Sequence, residues 1–114
     1  MKNKPGDKQR LEHILDAIKE IQSYTEGVDL PAFLANSMMR FASIKQIEII
    51  GEAAAYISEE IKRQFTEVEW QQIIGMRHIL VHEYFGIDSQ LIWQVIIRDL
   101  PELKKAIHQI YTSI

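Results

Sequence analysis

Apolar residues recur every three or four positions along most of this 114-residue chain. This period places them on one face of an α-helix, whereas a half-buried strand would alternate apolar and polar residues. No segment of the sequence shows that alternation, and no unit of about 20 to 50 residues is repeated. The pattern therefore predicts an all-α protein, a bundle of four to five helices. The length is typical of one domain, so residues 1–114 are expected to form a single helical domain.

Glycine and proline mark the boundaries of the first two predicted helices. The apolar face of the first helix ends shortly before Gly27, which is a plausible stop. The second helix would begin at Asp29, whose side chain can cap the free amides, and Pro31 suits its first turn. Apolar positions at helical spacing then continue to about residue 65, which predicts one long helix.

Two further helices are predicted in the second half of the chain. The tetrapeptide "TEVE" at 66–69 has the form of a capping box, so a third helix would follow it and extend to about residue 84. The loop "FGID" separates this helix from a last one, which Asp88 or Ser89 would cap. Pro101 is expected to kink or restart the last helix, because proline clashes with the preceding turn.

Composition places the protein among ordinary globular chains, with 46% hydrophobic and 25% charged residues. The N-terminus lacks the apolar stretch of a signal peptide, and no apolar run approaches the roughly 18 residues of a membrane span. A cytoplasmic location is therefore expected. The absence of cysteine excludes disulfides and thiolate metal sites. The net charge of −3 argues against a surface that attracts nucleic acid everywhere, so any RNA site must be local.

The segment "GMRHILVHEYFGID" at 75–88 concentrates polar side chains within an apolar run. Arg77, His78, His82 and Tyr84 fall within eight residues. Histidine titrates near neutral pH and can serve as base or acid. Arginine keeps its charge and binds two phosphate oxygens in a fork. Such a cluster suits RNA cleavage, in which the ribose 2′-hydroxyl attacks the adjacent phosphate, and this chemistry requires no metal or other cofactor.

Helix geometry alone does not bring the two catalytic groups together. Arg77 and His82 are five residues apart, so they point about 140° apart around the axis of a straight helix. Either the helix loosens at its end, or a second copy of the chain completes the site across a two-fold axis. A homodimer or a higher oligomer is therefore expected.

Four residues separate Arg77 from His82, one residue separates His82 from Tyr84, and "FGID" follows. This pattern resembles the signature of HEPN-domain toxins of the HepT group. The stretch "IEIIGEAA" at 47–54 and Trp70 also resemble this family. In the family motif the residue after the arginine is commonly polar, often Asn or Asp, and here it is His78.

The resemblance implies a HEPN-like helical fold, which forms a dimer, and a metal-independent endoribonuclease with its site across the dimer. Arg77 and His82 would be catalytic, with His78 in support. The family also implies a type VII HepT/MntA toxin–antitoxin system. In it, an MntA-type nucleotidyltransferase antitoxin would neutralise the toxin by transferring AMP to Tyr84. The added phosphates would occupy Arg77 and repel an incoming RNA backbone.

The same residues also have simpler structural interpretations. Arg77 could pair with Glu52 or Glu83, and Glu52 is expected to support the site by orienting the guanidinium. His82 could be a core histidine bonded to a backbone carbonyl, and Tyr84 a packing aromatic with its hydroxyl in water.

Two other functions are compatible with the sequence. A non-catalytic helical module that binds a nucleotidyltransferase would suit the acidic balance of the chain. A metal hydrolase could use His78 and His82, whose four-residue spacing is compatible with a zinc site, although no third ligand is evident. The combined motif favours the ribonuclease.

Overall fold

The computed structural model describes residues 6–82 and 86–114, apart from the side chains of residues 81 and 82. All regular structure within these ranges is helical, which confirms the predicted all-α class. The helices are α1 (Asp7–Thr25), α2 (Leu30–Ala35), α3 (Ser37–Ala55), α4 (Glu59–Gln64), α5 (Trp70–His82), α6 (Ser89–Gln94) and α7 (Leu100–Ser113). A π-helical segment, Val95–Asp99, joins α6 to α7.

Four long helical rods make up the bundle: α1, α3, α5, and the continuous rod formed by α6, the π-helical segment and α7. The six-residue helices α2 and α4 are short connecting elements. α1 packs against α3 and α7, and α3 also packs against α5. No helix in the described part of the chain is long and apolar enough to cross a membrane.

The first helix has the buried face that its sequence predicts. Leu11, Ile14 and Ile18 lie in the core, which is shared by all four rods. α1 ends at Thr25, and Gly27 follows with a φ of 71°. Glycine adopts this left-handed conformation without a steric penalty, so the predicted stop is confirmed.

The predicted second helix is three helices in the structure, and the prediction of one long helix was wrong. Asn36 is extended, with φ −112° and ψ 95°, and its side chain accepts a hydrogen bond of 3.0 Å from the amide of Met39. It therefore separates α2 from α3. Ser58 caps α4 in a similar way by accepting from the amide of Ile61. Short polar side chains compete with helix continuation because they satisfy backbone amides themselves.

The third predicted helix begins later than its capping-box pattern suggested. α5 starts at Trp70, so Thr66 lies in a turn and does not cap the helix. The indole of Trp70 donates a 3.0 Å hydrogen bond to the carbonyl of Phe65, which fixes this turn. The expected extension of the helix to residue 84 falls outside the described residues.

The last rod follows the predicted caps closely. Asp88 accepts hydrogen bonds from the amides of Gln90 and Leu91 and so begins α6. The rod then passes through the π-helical segment, which ends two residues before Pro101, and Pro101 lies in the first turn of α7. A proline ring clashes with the carbonyl four residues earlier in a regular α-helix, and the wider π-turn relieves this clash. Pro101 was expected to kink or restart the helix, and the structure instead changes the helix type just before it, within a continuous rod.

Candidate functional site

Arg77 lies where α5 crosses α3 at Gly51. A β-carbon placed on Gly51 would overlap the β-carbon of Arg77 and lie 3.0 Å from the carbonyl oxygen of Ile73. Only glycine therefore permits the two helices to approach this closely. The base of the Arg77 side chain is consequently fixed against the α3 backbone.

Glu52 follows Gly51 on α3 and faces the guanidinium group. Its Oε1 atom lies 3.6 Å from Nη2 of Arg77, so the two side chains form an ion pair. The side chains are 38% exposed for Arg77 and 60% exposed for Glu52, so water screens the pair and its contribution to stability is small. Its geometric effect is to hold a permanent cation at the surface, where a phosphate can reach it.

Glu48, one turn before Glu52, has a different partner. Its Oε1 atom lies 3.8 Å from Nζ of Lys45, three residues earlier on the same helix. Of these two neighbouring carboxylates, Glu52 is the one that contacts Arg77. Glu83, the other partner expected for Arg77, lies outside the described residues.

The two histidines and the tyrosine of the motif are only partly described. His78 is exposed on α5, next to Arg77. His82 is the last described residue of α5, but its side chain lies outside the described part of the structure, as does the whole of Tyr84. The convergence of Arg77 and His82 on one phosphate therefore stays a prediction.

The metal-site alternative finds no support among the described side chains, which do not include that of His82. Within this set, no group of three histidine, cysteine, aspartate or glutamate residues is arranged to hold a metal ion.

A row of exposed apolar residues lies on the same face of α3 as Glu52, and we call it the α3 stripe. It consists of Met38, Phe41, Ile49 and Tyr56. These residues fall at helical spacing with Glu52, so all five share one face of α3. Met38 is 79% exposed. Large apolar side chains grouped on a surface are typical of an interaction site.

Sequence reasoning did not single out Gly51 or the α3 stripe. The available signal for Gly51 was its position in the middle of a helix, where glycine costs about 1 kcal/mol relative to alanine and usually has a packing reason. The signal for the stripe was a second apolar face on α3, opposite the face that contributes Ile47 and Ile50 to the core.

Comparison with known families places the chain in a defined class. The model of a family described as ribonuclease HepT-like matches residues 14–110. The chain belongs to this family, and by class it is an endoribonuclease. The family resemblance stated from the motif is thereby confirmed.

The chain is similar to several archaeal and bacterial proteins over most of its length. It is 39% identical to "Putative RNase MJ1380" of Methanocaldococcus jannaschii, covering 82% of this chain and 86% of that protein. It is 38% identical to "Probable ribonuclease HepT" of Thermococcus cleftensis, covering 89% and 92%. It is 35% identical to "Putative RNase TTE0752" of Caldanaerobacter subterraneus, covering 88% and 89%. No solved structure matches the chain.

Proposed function

We propose that this protein is the toxin of a HepT/MntA toxin–antitoxin system and cleaves cellular RNA without a metal ion. Arg77 and His82 are the proposed catalytic residues, with Glu52 and His78 in support. The observation that carries the proposal is the placement of Arg77, whose guanidinium lies at the surface beside Glu52. The described part of the same helix extends to His82.

The proposed reaction uses the RNA's own 2′-hydroxyl as the nucleophile. One His82 imidazole accepts the 2′-hydroxyl proton as this oxygen attacks phosphorus. The bond from phosphorus to the 5′ oxygen breaks, and that oxygen receives a proton from a protonated imidazole. Arg77 binds the phosphate oxygens and stabilises the additional negative charge of the pentacovalent intermediate. The products are a 2′,3′-cyclic phosphate and a free 5′-hydroxyl.

A second copy of the chain is proposed to complete this site. On a straight helix, His82 points about 140° away from Arg77, so one subunit does not readily aim both groups at one phosphate. The α3 stripe shares a helix face with Glu52, the ion-pair partner of Arg77, and offers an apolar surface for a two-fold contact. Such a contact is self-complementary and brings two Arg77 and two His82 residues near one axis. One imidazole can then act as base and the other as acid.

Neutralisation of the toxin is proposed to occur at Tyr84. An MntA-type nucleotidyltransferase would bind ATP, and the phenolic oxygen of Tyr84 would attack the α-phosphate with release of pyrophosphate. The AMP group attached to the tyrosine carries negative charge, which would pair with Arg77 and exclude the RNA backbone.

The nuclease proposal is tested by cleavage of RNA in the presence of EDTA. The wild-type protein should produce 2′,3′-cyclic phosphate ends, and His82→Ala should lower the rate by at least about 100-fold, the usual contribution of general acid–base catalysis. Arg77→Lys should also be strongly impaired, because lysine cannot form the bidentate fork. His108→Ala, which changes an exposed histidine on α7, is the matched control.

Unchanged cleavage by His82→Ala would contradict the proposal. A wild-type chain that cleaves no RNA but binds the nucleotidyltransferase would support the alternative of a non-catalytic binding module, which the acidic balance of the chain favours.

The modification is tested by incubation with the nucleotidyltransferase and ATP. The mass of the chain should increase by one or more AMP units, and Tyr84→Phe should prevent the increase. Tyr56→Phe, at an exposed tyrosine on α3's C-terminal end, should be modified normally. Equal labelling of Tyr84→Phe would show that the modification site is elsewhere.

A further inference from the structure

A groove separate from the candidate site lies between α5 and α7. Within the described residues, α5 packs on α3 and α7 packs on α1, and α5 and α7 do not pack closely against each other. A space of about 440 Å³ is left between them, with Ile47 and Ile50 of α3 in its lining. This volume lies within the range of roughly 300–1,000 Å³ that is usual for ligand pockets. Neither Arg77 nor Glu52 lines it.

The walls of the groove are apolar. α5 contributes Ile73 and Met76, and α7 contributes Leu103 and Ala106. These four residues are all partly exposed, so they present apolar surface that a ligand can cover.

The π-helical segment shapes one wall of the groove. The amide of Leu100 donates to the carbonyl of Val95, five residues earlier. Residues five apart point about 140° apart on an α-helix, but the wider π-turn brings them towards one side. Val95 and Leu100 both line the groove as a result. The same segment places Asp99 at the groove edge.

Four carboxylates surround this apolar lining. Glu67 and Glu69 precede α5, and Asp99 and Glu102 lie at the start of α7. All four are exposed, and none forms an ion pair with another described residue. The described lining contains no lysine, arginine or histidine. Carboxylates of one sign around an apolar cleft focus a negative potential into it.

We propose that this groove binds a cationic amphipathic segment of another protein. Apolar side chains of the segment enter the groove, and its lysine or arginine residues pair with the surrounding carboxylates. The sign of the charge excludes RNA as the occupant. It also disfavours a second copy of this chain, which carries the same net charge of −3. The groove is thus a protein-docking site on a different surface from the proposed nuclease site.

The proposal is tested with a fluorescein-labelled peptide of leucine and lysine, about 14 residues or four helical turns long. Its leucines lie on one helical face. A second peptide has glutamate in place of each lysine, and a third has the first composition in scrambled order. Fluorescence anisotropy with the full chain should show at least tenfold tighter binding of the first peptide than of either control.

Variants of the chain locate the binding site. The double variant D99N/E102Q should weaken binding of the leucine–lysine peptide by about tenfold and make it less sensitive to salt, because exposed charges are screened. The matched control D16N/E26Q removes two exposed carboxylates from α1 and the turn after it, away from the groove, and should bind normally. A106W should fill the groove and abolish binding.

Three results would overturn the proposal. The first is equal binding of the peptide to D99N/E102Q and to the wild-type chain. The second is displacement of the peptide by a single-stranded RNA oligonucleotide from the wild-type chain but not from R77A, because the peptide would then occupy the nuclease site. The third is loss of self-association in A106W, measured by sedimentation, because the groove would then be a contact between copies. If A106W does not fold, the comparison of D99N/E102Q with D16N/E26Q decides whether the peptide binds in the groove. None of these readouts uses RNA cleavage, so they are independent of the proposed nuclease.

Discussion

Gly51 and Arg77 are in direct contact at the crossing of α3 and α5, where any β-carbon on residue 51 would overlap the arginine side chain. A residue without a side chain thus determines where a permanent cation lies. Glu52, the next residue on α3, then pairs with the guanidinium at 3.6 Å. The position of the proposed catalytic arginine is therefore set by two consecutive residues of a different helix.

Gly51→Ala should separate α3 from α5 and displace Arg77. Forcing an extra methyl into a close helix contact costs typically about 1–3 kcal/mol, so the free energy of unfolding should decrease by this amount. The rate of RNA cleavage should fall by more than the loss of folded protein explains, because the guanidinium of Arg77 is displaced. Urea denaturation and the cleavage rate measure the two effects.

Gly75→Ala is the matched control for Gly51→Ala. Gly75 lies in α5, and a β-carbon there would meet no atom of the described residues within 4 Å. This substitution should leave cleavage unchanged and stabilise the helix by up to about 1 kcal/mol. Equal effects of the two substitutions would show that the contact with Arg77 is unimportant.

Glu52→Gln tests whether the carboxylate orients Arg77. Exposed ion pairs contribute up to about 1 kcal/mol, so kcat should fall by no more than about fivefold. KM for RNA should stay the same or decrease, because a negative charge near the phosphate is removed. Glu48→Gln, which affects a carboxylate paired with Lys45, should change neither constant. A loss of about 100-fold in Glu52→Gln would instead indicate direct participation in proton transfer.

Asp7 and Ser58 join the start of α1 to the corner between α3 and α4. Asp7 is 2% exposed and accepts hydrogen bonds from the amide of Ser58 at 2.9 Å and from its hydroxyl at 2.7 Å. Hydrogen bonds to a charged group contribute about 1.5–3 kcal/mol, so Asp7→Ala should lower the free energy of unfolding by at least about 2 kcal/mol. Ser58→Ala should cost about 1–2 kcal/mol, because it also removes the α4 cap.

The double variant of Asp7 and Ser58 should lose less free energy of unfolding than the two single variants lose together. The reason is that the two side chains share one hydrogen bond, which each single variant already removes. Chemical denaturation of all four proteins measures this coupling. Strict additivity would mean that the hydroxyl–carboxylate bond contributes nothing.

Ser43 is buried in α3, and its hydroxyl has no hydrogen-bond partner among the described residues. Burying an unsatisfied polar group costs about 1–3 kcal/mol, and alanine is also the better helix former. Ser43→Ala should therefore raise the free energy of unfolding by about 1 kcal/mol. Ser23→Ala, at an exposed serine, should have little effect. A clear destabilisation in Ser43→Ala would show that the Ser43 hydroxyl does have a hydrogen-bond partner.

Tyr111 should make stability depend on alkaline pH. Its hydroxyl donates a 2.7 Å hydrogen bond to Glu12, and this bond raises the pKa of Tyr111 above its ordinary value of 10.0. Because the pKa is higher in the folded state, the stabilisation is complete below pH 10 and is lost as the pH rises through the folded pKa. The stability difference between the wild type and Tyr111→Phe should therefore shrink above pH 10 in denaturation measurements. A constant difference would contradict the assigned bond.

Local chemistry made several features predictable from the sequence. The apolar period predicted helices, Gly27 predicted the end of α1, and Asp88 predicted the start of α6, because each depends only on residues within a turn or two. The resemblance of the combined motif, Arg77, His82 and Tyr84 followed by "FGID", to a known signature indicated the family. Where local signals conflicted, prediction failed: the apolar period continued through Asn36, and the structure ends a helix there.

The sequence by itself therefore determined the helical class, some of the helix ends and the motif that indicates the family. The tertiary structure decided the contact of Gly51 with Arg77, the bond between Asp7 and Ser58, and the acidic groove between α5 and α7. These features join segments that are distant along the chain. Their existence depends on which helix faces pack together, and no window of neighbouring residues contains that information.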